Sequence, residues 1–118
     1  MSAPEKFTIV GFFGDGEHKF SLHDGKSYDL VRELEDKRAC GPMALFRRLY
    51  SGNYSTDDIG EILRIGLIGG GMTPPEAAKL VKRYVDTAPL NDHAGTALEV
   101  LGAVLFGKGN AEAAAEAA

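Results

Sequence analysis

Three histidines, one cysteine and a few paired carboxylates are what this 118-residue chain offers for chemistry. His18, His23 and His93 share no metal-ligand spacing and read as surface side chains in a strand, a turn and a helix start. Cys40 has no base beside it in sequence and reads as a buried small residue at a helix end. As the single cysteine it permits neither an internal disulfide nor a cysteine metal cluster. The pairs Asp57–Asp58 and Glu33–Glu35 are explained by helix caps and solvated faces. Gly11, Gly14 and Gly16 superficially suggest a phosphate loop, yet no Lys-Ser/Thr follows and no helix starts where one must. These residues define no catalytic constellation, so the expectation is a protein that is not an enzyme and uses no cofactor or metal.

The one feature in surplus is aromatic. Phe12, Phe13, Phe46, Tyr50 and Tyr54 are many bulky groups for so short a chain. Either they form its core, or some of them make an exposed apolar patch for a partner.

Charge narrows the partners. The net charge is −4, with no basic excess to neutralise phosphates, so no nucleic acid is expected. Lys37–Arg38 follows Asp36 and Lys82–Arg83 precedes Asp86; these pairs and Arg47–Arg48 read as solvated helix faces. No apolar run approaches the roughly 18 residues of a membrane span, and Met1 to Lys6 is polar, unlike a signal peptide. A soluble, cytoplasmic protein is expected.

The elements that must position these residues are legible from periodicity and punctuation. Phe7 to Phe13 is rich in β-formers, Gly14-Asp15-Gly16 turns, and Glu17 to Leu22 alternates polar and apolar: a β-hairpin. An isolated hairpin is marginal in water, so it must pack on helices or on another chain's strand. After the turn His23-Asp24-Gly25, a helix is expected from Ser27 to Ala39 with Tyr28, Val31 and Leu34 on one face, ended by Gly41-Pro42. Met43 to Tyr50 follows as a short helix with Leu45, Phe46, Leu49 and Tyr50 in a stripe.

The stretch Ser55 to Asp86 organises the rest. Ser55 or Thr56 caps a helix carrying Ile59, Ile62, Leu63 and Leu67 on one face. Gly69-Gly70-Gly71 ends it, since glycine enters the left-handed cap conformation without a Cβ penalty. Thr73, Pro74 and Glu76 then open a second helix as a capping box, with Ala77, Leu80, Val81, Tyr84 and Val85 inward. Asn91 or Asp92 caps a last helix to Phe106, in which Gly95 and Gly102 suggest close approach of a neighbour. Leu63, Leu67, Leu80, Val81, Tyr84, Leu98 and Leu101 are expected to be buried together. The fold class is therefore α+β, mainly helical: an N-terminal β-hairpin followed by four to five short amphipathic helices in one layered domain. That domain spans 1–106, and 107–118 is an Ala-rich tail with no apolar residue larger than alanine, expected to hang free or fray.

The order of these features resembles a known family. The hairpin strand His18 to Leu22, the Leu-x-x-Glu-Leu-Glu of Leu30 to Glu35 and the Gly-x-x-x-Leu of Gly41 to Leu45 come first. Leu49-Tyr50-Ser51-Gly52, Ser55 to Ile59 and the Gly-Leu-Ile-Gly-Gly-Gly of Gly66 to Gly71 complete it. Together they resemble the small tail-assembly protein of gene transfer agents and siphophage-like prophages, grouped with tail assembly chaperones and tail-tube-associated proteins. The resemblance covers Phe7 to Phe106. It departs between Leu22 and Asp29, where the family runs more directly into the helix. It implies a non-enzymatic adaptor that binds the tape-measure protein and the major tail-tube protein during tail assembly and then leaves. Phe46, Tyr50, Tyr54, Phe12 and Phe13 are the candidate partner-binding residues. Two other readings stand beside it. One is a structural tube component retained in the particle, a homo-oligomer polymerising through its hairpin edges; the other is an unrelated protein-binding or regulatory domain.

Overall fold

The structure, a computed structural model, describes residues 5–110. β1 (Thr8–Phe13) and β2 (Gly16–Ser21) pair antiparallel, with Ile9 opposite Phe20 and Phe13 opposite Gly16. Five helices follow: α1 (Asp29–Arg38), α2 (Pro42–Ser51), α3 (Thr56–Gly69), α4 (Pro74–Val85) and α5 (Ala94–Phe106). Single 3-10 turns precede β1 and α5. The fold is the expected α+β hairpin-plus-helices domain.

α3 is the hub, packed against α1, α4, α5 and β2. Its burial explains this: Ile59, Ile62, Leu63, Ile65, Gly66 and Leu67 are all buried. Apolar groups on nearly every side are what a central helix requires, whereas an amphipathic surface helix shows one stripe. The hairpin lays Ile9, Phe13 and Phe20 on this core. Of the residues expected to be buried together, Leu63, Leu67, Val81 and Leu101 are; Leu80, Tyr84 and Leu98 are only half-buried at its margin.

Local signals set the ends. Ser55 caps α3 in a full capping box: its hydroxyl accepts the Asp58 N–H, and the Asp58 carboxylate accepts the Ser55 N–H at 3.0 Å. Thr73 caps α4, accepting the Glu76 N–H and donating to its carboxylate at 2.7 Å. Three expectations change. α1 starts at Asp29 because the Asp24 carboxylate takes the N–H groups of Lys26 and Ser27, winding that segment into a turn; Tyr28 is left at the cap, exposed. Neither Asn91 nor Asp92 caps α5, since both lie in the 3-10 turn Leu90–His93 that feeds it. Gly95 faces open space and Gly102 has only ordinary room beside Phe46, so close helix approach falls instead at Gly66, where a Cβ would press on Val100 at 3.2 Å.

The triple glycine does more than end a helix. Of its three residues only Gly71 has positive φ, at 115°. Gly69 and Gly70 are needed because a Cβ on either would run into the carbonyl oxygens of Ser21 and Lys19. Those carbonyls, two residues apart, point to the same edge of β2, so the end of α3 covers that edge. Of the Ala-rich tail, Gly107 to Asn110 is described, and the Lys108 N–H donates to the Lys6 carbonyl at 2.7 Å. Residues 111–118 lie outside the described residues.

Candidate functional site

Where β1, α2 and α5 meet, their side chains leave an open groove of about 460 Å³. Phe46 and Tyr50, four apart on α2, lie on one helix face with ring centroids 6.1 Å apart. Phe46 is buried, its ring edge-on to Phe106 at 5.7 Å, and forms the floor. Tyr50 is 55% exposed and forms a wall. Leu98 and Gly102 of α5 complete the floor, with Gly102 set against the Phe46 ring, where a Cβ would lie at 3.8 Å from it. Ile9 from the inner face of β1 and Val10 from its outer face both line the groove, so it runs along the edge of the strand. Glu99 and Lys108 are its charged rim.

The five aromatic candidates divide. Phe12, 70% exposed on the outer face of the hairpin, and Tyr50 are open to a partner. Phe13 and Phe46 are core residues, so for these two the first of the two readings of the aromatics applies. Phe13 is 1% exposed, wedged edge-on among Phe20, Tyr84 and His93, because alternation along β1 turns it inward. Tyr54 is half-buried, its hydroxyl donating to Asn91 at 2.6 Å, and ties the α2–α3 link to the turn before α5. Val10, 54% exposed, joins the open set; an aliphatic residue in a strand gave no cue to this.

A second constellation went unread in the sequence. Asp58 is fully buried, and Arg38 of α1 donates to it through Nε at 2.8 Å while Arg48 of α2 approaches at 3.6 Å. Arg48 also donates to the Cys40 sulfur at 2.7 Å. Arg38, Arg48 and Asp58 are thus a polar junction, which corrects the reading of the two arginines as solvated and adds to the cap role of Asp58; burial of the carboxylate demands paired charges there. Burial by itself raises the Asp58 pKa, but the Ser55 N–H, the Arg38 hydrogen bond and the charges of Arg48 and Arg38 outweigh it and hold the group below its ordinary value. Arg64 forms a similar link, bonded to Glu61 of its own helix at 2.8 Å and to Glu33 of α1 at 3.2 Å. Its hydrogen bond to Glu61 raises the guanidinium pKa and depresses that of the carboxyl.

The histidines are dispersed among local partners. His18 meets Asp15 at 2.7 Å, His23 stacks on Phe7 at 4.6 Å, and His93 bonds the Tyr84 carbonyl at 3.1 Å. Among the described residues no three His, Cys, Asp or Glu side chains cluster in a way that could hold a metal ion. Nor is any helix among them long and apolar enough to cross a membrane.

Fold and groove thus define a small hairpin-plus-helices domain with a saturated polar junction and an open apolar channel. The family described as "Phage tail tube protein, GTA-gp10" matches residues 7–107, and the chain belongs to it. It is a phage tail-related protein of the gene-transfer-agent kind. No curated protein and no solved structure gives a significant match.

Proposed function

We propose that the chain is a tail-assembly factor: a non-enzymatic adaptor that binds apolar segments of tape-measure and tail-tube proteins while the tail is built. It acts in the cytoplasm of the bacterial host cell. The observation that carries this reading is the open groove walled by Tyr50 and Val10, with Phe12 exposed beside it. A contiguous apolar surface rimmed by charge, on a small acidic domain, suits shielding of another chain's hydrophobic segments. Membership of a tail family supplies the partner class. Capture of the tape-measure protein from a co-expressing cell tests it. Capture should persist at 1 M salt, where screening over about 3 Å removes purely ionic contacts, and fall sharply in Tyr50→Asp. Equal capture by that variant and the wild type contradicts the reading.

A structural tube subunit is the second reading, favoured by the family's description as a tail tube protein. On that reading the same groove joins copies of the chain, and the protein stays in the finished particle.

A further inference from the structure

We infer that the groove takes its partner as an added β-strand, hydrogen-bonded to the outer edge of β1. The inference rests on the groove being the partner site and specifies how the site binds. The two edges of the hairpin differ. The edge of β2 is closed by Gly69 and Gly70, which lie against the Ser21 and Lys19 carbonyls. Because those carbonyls face the glycines and not β1, the residues of β1 opposite Lys19 and Glu17, namely Val10 and Phe12, turn their own N–H and C=O groups outward. Exposed edges are commonly blunted by charge, proline or a bulge. β1 (Thr-Ile-Val-Gly-Phe-Phe) has no charged residue or proline, and its register with β2 runs without a bulge.

Beyond that edge lies the apolar channel, with Phe46, Leu98 and Gly102 beneath it. A strand added to β1 would point alternate side chains down onto this floor and hold the others beside Val10 and Phe12. Backbone hydrogen bonds supply affinity in this mode, and pockets for alternate side chains supply specificity. The rim charges orient the occupant. His93 packs on Phe13, a Cβ on Gly11 would touch Thr96, and Lys108 bonds Lys6, so α5 runs antiparallel to β1. Glu99 therefore lies toward the middle of β1 and Lys108 at its Lys6 end. The fitting partner is an extended segment of another protein, apolar and β-branched, with a basic residue toward the Gly11 end and an acidic one toward Lys6.

The probe is a short synthetic peptide of alternating valine and threonine with lysine at one end and glutamate at the other, titrated into the ¹⁵N-labelled full chain. Amide hydrogen exchange at Val10 and Phe12 should slow by about tenfold or more at saturation. No slowing at those amides, whether the peptide binds another way or not at all, overturns strand addition. In the capture assay Val10→Pro should abolish binding, since it removes an outward N–H and leaves the β1–β2 bonds intact. Val10→Ala, which trims a groove wall but keeps the N–H, should weaken it less than Val10→Pro does. Capture lost in Tyr50→Asp but intact in a folded Val10→Pro overturns strand addition and leaves the groove reading standing. Capture intact in both overturns the two together. If Val10→Pro does not fold by circular dichroism, the exchange result on the wild-type chain decides alone.

Discussion

The Asp58 junction and the β1–α2–α5 groove are opposites in chemistry and in finish. The junction buries a full charge and satisfies it completely: Ser55 N–H, Arg38 and Arg48 all converge on one carboxylate. The groove is apolar and unfinished, with Val10, Phe12 and Tyr50 among the few large hydrophobic side chains left exposed. Both draw on α2, from which Arg48 reaches the junction while Phe46 and Tyr50 face the groove. On the proposed reading, charge marks architecture in this molecule and exposed carbon marks the working surface. A search by titratable residues alone leads to the junction instead.

The comparison can be broken by substitutions on either side of it. The largest effect is expected at Gly69→Val, where the new side chain meets the Ser21 carbonyl and must push α3 off β2. A loss of about 5 kcal/mol or more, at the extreme of point-mutation effects, is expected in chemical denaturation; a loss under about 1 kcal/mol would mean that the glycine contact is not required.

Asp58→Ala comes next, at about 3–5 kcal/mol, because it leaves Arg38 and Arg48 converging on an empty buried site. The same group gives a pH signature. Its pKa lies below the ordinary 3.8 in the folded protein, so the native state holds the proton less tightly than the unfolded chain. Its stabilisation is therefore fully present above the unfolded value and is lost as pH falls through that value toward the folded one. Wild type should lose stability over that interval more steeply than Asp58→Asn, measured by thermal unfolding between neutral pH and pH 3; parallel curves would remove Asp58 from the account.

The smallest stability effect belongs to the groove side. Phe12→Ser and Tyr50→Ser should change stability by no more than about 0.5 kcal/mol, as surface substitutions do, and yet weaken partner capture. That combination, structurally silent and functionally costly, is what separates the two regions. If both variants instead unfold the domain, the exposed aromatics are structural and the contrast fails.

How much of this could be read in the sequence follows from the range of the forces involved. Caps were legible because their chemistry is local: Ser55 with Asp58 and Thr73 with Glu76 are three residues apart. The hairpin and the five helices follow from periodicity in the same way. The junction was not legible, because Arg38 lies twenty residues before Asp58 and only packing of α1 against α3 brings them together. An Asp-Asp pair at a helix start looks the same whether its second carboxylate meets water or two arginines. In the sequence Gly69 and Gly70 look like a helix terminator, whereas the approach of β2 that requires them is tertiary. For the site, the surplus of aromatics was visible but its division was not. Phe46 and Tyr50 share a helical face, and their exposure differs because α5 covers one and not the other.

The most direct test of the central claim is the composition of purified particles by quantitative mass spectrometry, measured against the tube protein. An assembly factor that uses an open groove transiently predicts a trace of this chain or none. Copy numbers at parity with the tube protein would contradict it, and would make the groove a permanent joint between subunits of the tail.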